Sequence, residues 1–277
     1  MLVTMTSAGL DPAECETAIR RMEHDPVFLA ARKMQQLQRK LESVLANQQK
    51  LWEMAPDYSR VEKRPRITRS EFVTRHVIGS RPLVLTGLTR DWPAMKRWSA
   101  QDLKTRFGHL DVEIQAERCA DPNYEENKLA HRRKLRLADI GSLPDFCDHA
   151  ELPRLSSFWF GPAGTNTPLH HDTVMLFHTQ VVGRKRWRFI SPLQTPRVYN
   201  HHGVFSPIDL DAPDFERYPL FRDVKVLEAI IEPGETVYLP LGWWHQVTAL
   251  DMSLSFSYSN IAVPNLYTYQ NPEIRNW

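Results

Sequence analysis

His170 and Asp172 stand two apart in TPLHHDTVMLF, and His245 follows much later in PLGWWHQV. On an extended strand, residues two apart project from one face, so His170 and Asp172 can meet one ion while His171 points elsewhere. A third ligand has to come from another strand. His245, read as the end of a strand beside two bulky tryptophans, is the best candidate. Two neutral imidazoles and one carboxylate leave about three positions open on an octahedral ion. Taken singly, the same residues also fit blander roles. An HxD pair suits a hydrogen-bonded turn, and a histidine beside Trp243 and Trp244 suits partial burial.

The elements that must position these residues read as short strands. From about Leu155 onward, SSFWF, MLFHTQVV, KRWRFI, VLEAIIE, TVYLP and MSLSFSYS are rich in β-branched and aromatic residues with partial alternation. Pro233–Gly234 and Leu241–Gly242 mark tight connections between them. Ahead of this region SEFVTRHV reads as helix, PLVLTGL as strand, and SAQDLKTRF as helix behind a serine cap. Strands gathered at the C-terminal end with helices before them predict a β-sandwich or barrel carrying a helical N-terminal part.

Between Asp11 and Met54 the pattern is helical. Leu29, Met34, Leu37, Leu41, Val44, Leu45 and Leu51 recur at steps of three, four and seven, and Asp25–Pro26 suits the cap and first turn of the long helix. Such a helix can pair with a second copy in a homodimer or pack on its own domain. The short stripe and Gln35, Gln36 and Gln38 favour the second. The following APDYSRVEKRPRITRS, with its prolines and charges, reads as a linker. The expected division is therefore an N-terminal helical extension over residues 1–60 and one main domain over 61–277.

Composition narrows the partners. The 277 residues include 35 basic and 33 acidic side chains, a formal net charge of +2, which gives no global reason to expect nucleic acid or a membrane surface. Cys15, Cys119 and Cys147 are odd in number and form no CxxC pair, so a reducing compartment is expected. MLVTMTSAGL lacks the marks of a signal peptide, and no segment approaches the ~18 apolar residues of a membrane span. The resulting expectation is a soluble, cytoplasmic protein.

Three blocks, WFGPAGTNTPLHHD, QVVGRKRWRFISP and PGETVYLPLGWWHQVTALDMSLSFS, occur in an order that resembles the Jumonji-C, cupin-like oxygenases. The branch with asparaginyl and other protein hydroxylases is the more similar one. The likeness runs from about Trp159 to Tyr258, reaches weakly back to PLVLTGL, and does not extend to residues 1–60. It implies a mainly β double-stranded β-helix (jelly-roll) with Fe(II) held at one mouth by His170, Asp172 and His245. It also implies that 2-oxoglutarate and dioxygen are cosubstrates, with Lys185 pairing with the distal carboxylate of the oxoacid. A dicarboxylate entering a barrel needs a fixed cation at its far end, and alternation sets Lys185 opposite its neighbours Arg184 and Arg186. By the same resemblance Thr167 matches a hydroxyl that helps hold that carboxylate, Tyr124 a tyrosine on an earlier strand, and Trp159 an aromatic near the substrate mouth. The implied substrate is a protein or peptide side chain. A free amino acid or natural-product intermediate is the next reading, and a metal-binding cupin without oxygenase activity is a different class.

One departure stands out. Related hydroxylases often carry an asparagine shortly after HxD, where this chain has Val174, Met175 and Leu176. Other polar residues fit structural roles better. His178 reads as structural or substrate-adjacent, His201–His202 as loop residues, and His131-Arg132-Arg133-Lys134 with Arg136 as a solvated face. No GxSxG nucleophile motif is present.

Overall fold

In a computed structural model of the chain, the structure describes residues 9, 11–109, 139–201 and 203–265. The chain divides into two compact units, Met1–Trp52 and Glu53–Trp277. In the first, α1 spans Pro12–His24 and α2 spans Pro26–Glu53. Asp11 caps α1 by accepting from the Glu14 N–H at 3.0 Å, and Asp25 caps α2 by accepting from the Phe28 N–H at 2.9 Å. Along α2, Met34, Leu37, Leu41, Val44 and Leu51 are exposed, Leu45 and Trp52 are half-buried, and Gln49 is buried.

The second unit is built on two facing sheets. The strands are β1 Glu62–Arg64, β2 Leu83–Leu85, β3 Ser156–Gly161, β4 Asn166–His170, β5 Leu176–Val182, β6 Lys185–Ile190, β7 Val226–Ile231, β8 Thr236–Leu239, β9 Trp244–Ala249 and β10 Ser253–Tyr258. One sheet runs β1-β2-β8-β5-β10-β3, the other β4-β9-β6-β7. Strands that are neighbours in sequence mostly lie in opposite sheets or cross over within one, so the chain winds into a jelly-roll, the double-stranded β-helix expected. The segment read as linker holds a strand: β1 pairs in parallel with β2, Glu62 opposite Leu83. Three residues are too few to show alternation, so the prolines and charges around them dominate the pattern.

Alternation sorts each strand's side chains between the barrel interior and an outer layer. On β10, Leu254, Phe256 and Tyr258 face outward into a core with Phe72, Trp92, Phe146, Phe177 and Tyr238. Phe72 opens the π-helix Phe72–Ile78, which continues a short α3, Arg69–Glu71, capped by Thr68. Trp92 and Trp98 flank α4, Ala94–Arg97, and α5, Ala100–Phe107, starts behind the Ser99 cap read from the sequence. Burying an aromatic or aliphatic side chain of this kind contributes about 1.5–3 kcal/mol, so this layer anchors the larger sheet. A second core of Leu169, Ile190, Val198, Ile208, Phe221 and Trp244 covers the outer face of the smaller sheet. The side chains of the opposite parity are left to line the interior.

Candidate metal centre

β4 and β9 carry the two histidines. The strands pair antiparallel with His170 directly opposite His245, and the two rings lie 4.1 Å apart between centroids. β4 is the edge of its sheet and contains Pro168, which has no N–H to give the ladder; the register shifts between Thr167 and His170. The Pro168 carbonyl instead accepts from His170 Nδ1 at 2.7 Å, and the Trp243 carbonyl accepts from His245 Nδ1 at 3.0 Å. A carbonyl can only accept, so each Nδ1 carries the proton and each Nε2 presents a lone pair. Metal-binding imidazoles are commonly oriented in this way.

Asp172 does not sit on a strand as the spacing implied. β4 ends at His170, and Asp172 lies in the turn that follows. The strand end still delivers its carboxylate, with Oδ2 at 3.7 Å from His245 Nε2. His245 is the second residue of β9, beside Trp244 at the strand's end. Ligand atoms of His170, Asp172 and His245 lie within 4.8 Å of one another, the only such cluster of three among the described residues. Both histidines are buried and Asp172 is half-buried. Two outward-fixed imidazoles and one carboxylate on a single side fit a divalent ion with open positions.

The surroundings are aromatic. Trp187 stacks on His245 with an interplanar angle of 10°, and Phe205 lies 5.5 Å from His170 on a segment bridged to the end of β4. His171 and Trp244, of opposite parity, meet edge-on in the outer core. Trp243 donates through Nε1 to the carbonyl and hydroxyl oxygens of Ser80, at 3.0 and 3.1 Å.

Lys185 enters from β6, just past the β5–β6 turn at Gly183. Its neighbours Arg184 and Arg186 point out to Asp251 and Asp211, while Lys185 is buried, as alternation implied. Its Nζ donates to Ser255 Oγ at 2.8 Å and lies 3.5 Å from His178 Nε2. Two residues along β6, Trp187 shares this inward face and reaches His245, so the ammonium and the triad line one chamber. The Trp187 indole N–H is buried without an acceptor among the described residues, which suits a chamber that admits a carboxylate-bearing ligand. Thr167 lies opposite Val247 on β4, half-buried. Trp159 sits beside the lysine, its ring 6.0 Å from Nζ and its N–H donated to Ser257 Oγ at 2.8 Å. Tyr124 lies outside the described residues, as do His202 and the basic run from His131 to Arg136.

His178, read from the sequence as structural or substrate-adjacent, stands outside the ligand cluster and next to Lys185. The chain reverses after Asp172, so His170 and His178 stand on facing sheets and still line one interior. The alternation of β5 alone, with Phe177 and Thr179 facing out, was the available signal.

Comparison with known proteins agrees with this geometry. Residues 127–271 match the family described as "Cupin-like domain". The chain is 30% identical over 233 residues to "Lysine-specific demethylase JMJ30" of Arabidopsis thaliana, covering 72% of this chain and 54% of that one. It is 27% identical over 219 residues to "Lysine-specific demethylase 8" of Xenopus tropicalis, covering 68% and 49%. A shorter match, 37% over 105 residues, joins it to "HSPB1-associated protein 1" of Bos taurus, covering 35% of this chain and 21% of that one. The chain thus spans about half the length of the first two relatives.

Proposed function

The chain belongs to the cupin-like Jumonji-C family, and from that premise we propose that it is an Fe(II)- and 2-oxoglutarate-dependent oxygenase acting on a protein or peptide side chain. The observation that carries this reading is one chamber holding both an open His-Asp-His cluster and a buried ammonium. A bare metal-binding cupin has no need of the second. The chemistry that Fe(II) and 2-oxoglutarate supply when bound is oxidative decarboxylation to succinate and carbon dioxide, with one atom of dioxygen inserted into a C–H bond of the substrate.

The chain's residues prepare that chemistry. His170 and His245 offer Nε2 because their Nδ1 protons are held by backbone carbonyls, and Asp172 offers a carboxylate oxygen. Lys185 and Thr167 would receive the distal carboxylate of the oxoacid. Trp187 and Phe205 exclude water from the metal's flank. No general acid or base is required, and none stands out beside the triad among the described residues. The names of the relatives make N-methyl lysine a substrate to test; there, hydroxylation of the methyl group followed by collapse releases formaldehyde. A plain C–H hydroxylation of a side chain is the reading favoured by the motif resemblance.

The test is succinate formation from 2-oxoglutarate with Fe(II) and ascorbate. Wild type should turn over and His170→Ala should lose at least ~100-fold, the scale at which metal-site changes act. Absence of turnover in wild type together with absence of oxoacid binding to the anaerobic iron complex would overturn the assignment. Mass spectrometry of candidate peptides then separates gain of one oxygen from loss of a methyl group.

A further inference from the structure

We propose that His178 is a positioning residue for the cosubstrate: it fixes the direction of the Lys185 ammonium, supplying from β5 a polar contact that Leu176 on the same face cannot give. The inference rests on the oxoacid reading above.

Leu176 and His178 are two apart on β5 and therefore point the same way, into the barrel. Lys185 crosses from the facing sheet to meet that wall, where Ser255 of the adjoining β10 accepts from Nζ at 2.8 Å and His178 Nε2 lies at 3.5 Å. Two polar neighbours on adjoining strands help to define the orientation of the ammonium and its three protons. The imidazole is itself clamped. Trp159 is tilted against it at 6.1 Å, Trp187 meets it edge-on at 5.0 Å, and Trp159 is tied to Ser257 of β10. His178 is 5% exposed and Lys185 8%.

Chemistry fixes which form of the ring stands there. Burial, then the charge of Lys185, hold the His178 pKa well below the ordinary histidine value. A neutral ring keeps a lone pair, and with Nε2 turned toward an ammonium that lone pair accepts. A leucine here would fill space between the two indoles and leave the lysine with one fewer anchor. The cation would then sample orientations away from the incoming carboxylate, and binding would weaken with no change at the metal.

The experiment uses the full chain loaded with Mn(II), anaerobically, and reads 2-oxoglutarate affinity by calorimetry beside Mn(II) affinity and melting temperature. His178→Leu should weaken the oxoacid by about tenfold or more, the scale for losing a hydrogen bond to a charged group, and leave Mn(II) affinity unchanged. His178→Gln, whose Oε1 can take the place of Nε2, should recover binding to within about threefold, while His178→Asn, whose acceptor is one bond too short, should not. In turnover with Fe(II) the loss should fall on KM for 2-oxoglutarate and spare kcat. Unchanged oxoacid affinity in His178→Leu, or a Gln variant as weak as Asn, overturns the proposal. If His178→Leu does not fold, the Gln and Asn pair decides the same question. Failure of the wild-type protein to bind 2-oxoglutarate at all would instead overturn the oxygenase reading, and with it the basis for this role.

Discussion

At the two histidines the decisive atoms are those turned away from the ion. The Pro168 and Trp243 carbonyls select the tautomer of each ring, so the Nε2 lone pairs are set by backbone before any metal arrives. The same logic of a small group held by several partners governs Asp139, far from the chamber. Burial alone would raise its pKa, but the Trp98 indole N–H and the guanidiniums of Arg106 and Arg97, at 2.9, 2.9 and 3.0 Å, outweigh that and hold it below the ordinary carboxylate value. A depressed pKa contributes stability that is present above the unfolded value and lost as pH falls through the folded one. Asp139→Asn should therefore cost about 1–3 kcal/mol at neutral pH. In urea melts the gap between the two proteins should narrow below about pH 4. A gap that stays constant down to acid would remove the carboxylate from this role.

At the scale of elements, the turn between β5 and β6 sets where Lys185 enters. Gly183 has φ +69°, and a Cβ placed there would lie 2.2 Å from the Met252 carbonyl oxygen, so both the backbone and the packing demand glycine. Gly183→Ala should destabilise the barrel by roughly 1–3 kcal/mol and weaken 2-oxoglutarate as the strand start shifts. Wild-type melting and binding would show that the turn tolerates a side chain.

Elements also decided what was legible beforehand. Within a strand, alternation alone told the truth: Lys185 inward, Arg184 and Arg186 outward. Across a strand's end it did not, because a face is defined only while the chain stays extended. That is why Asp172, read as sharing an extended strand with His170, stands just beyond the end of β4. The three-residue β1 was hidden among prolines and charges. Its place depends on pairing with β2, a contact no local pattern records.

On the scale of the whole molecule, the division at Trp52 and Glu53 separates a helical unit from the unit that contains every described residue of the chamber. The family match begins only at residue 127. Residues 53–277 expressed alone should melt cooperatively and bind 2-oxoglutarate with an affinity within about threefold of the full chain, since that unit carries every described residue of the chamber. A truncated chain that fails to fold would make residues 1–52 part of the barrel's own stability.

The bond from Trp243 to Ser80 carries a consequence of another kind. Ser80 adopts φ 47° in the turn behind the π-helix, Trp243 is hung from it, and the Trp243 carbonyl in turn holds His245. His245 is thus braced, through Trp243, on a turn at Ser80, much as a bearing is trued by its housing. Ser80→Val, β-branched where the left-handed backbone resists it, should leave the fold standing and loosen metal affinity. Metal titration beside a thermal melt reads both. A change at such a position would tune metal affinity from outside the ligand set while the fold is kept.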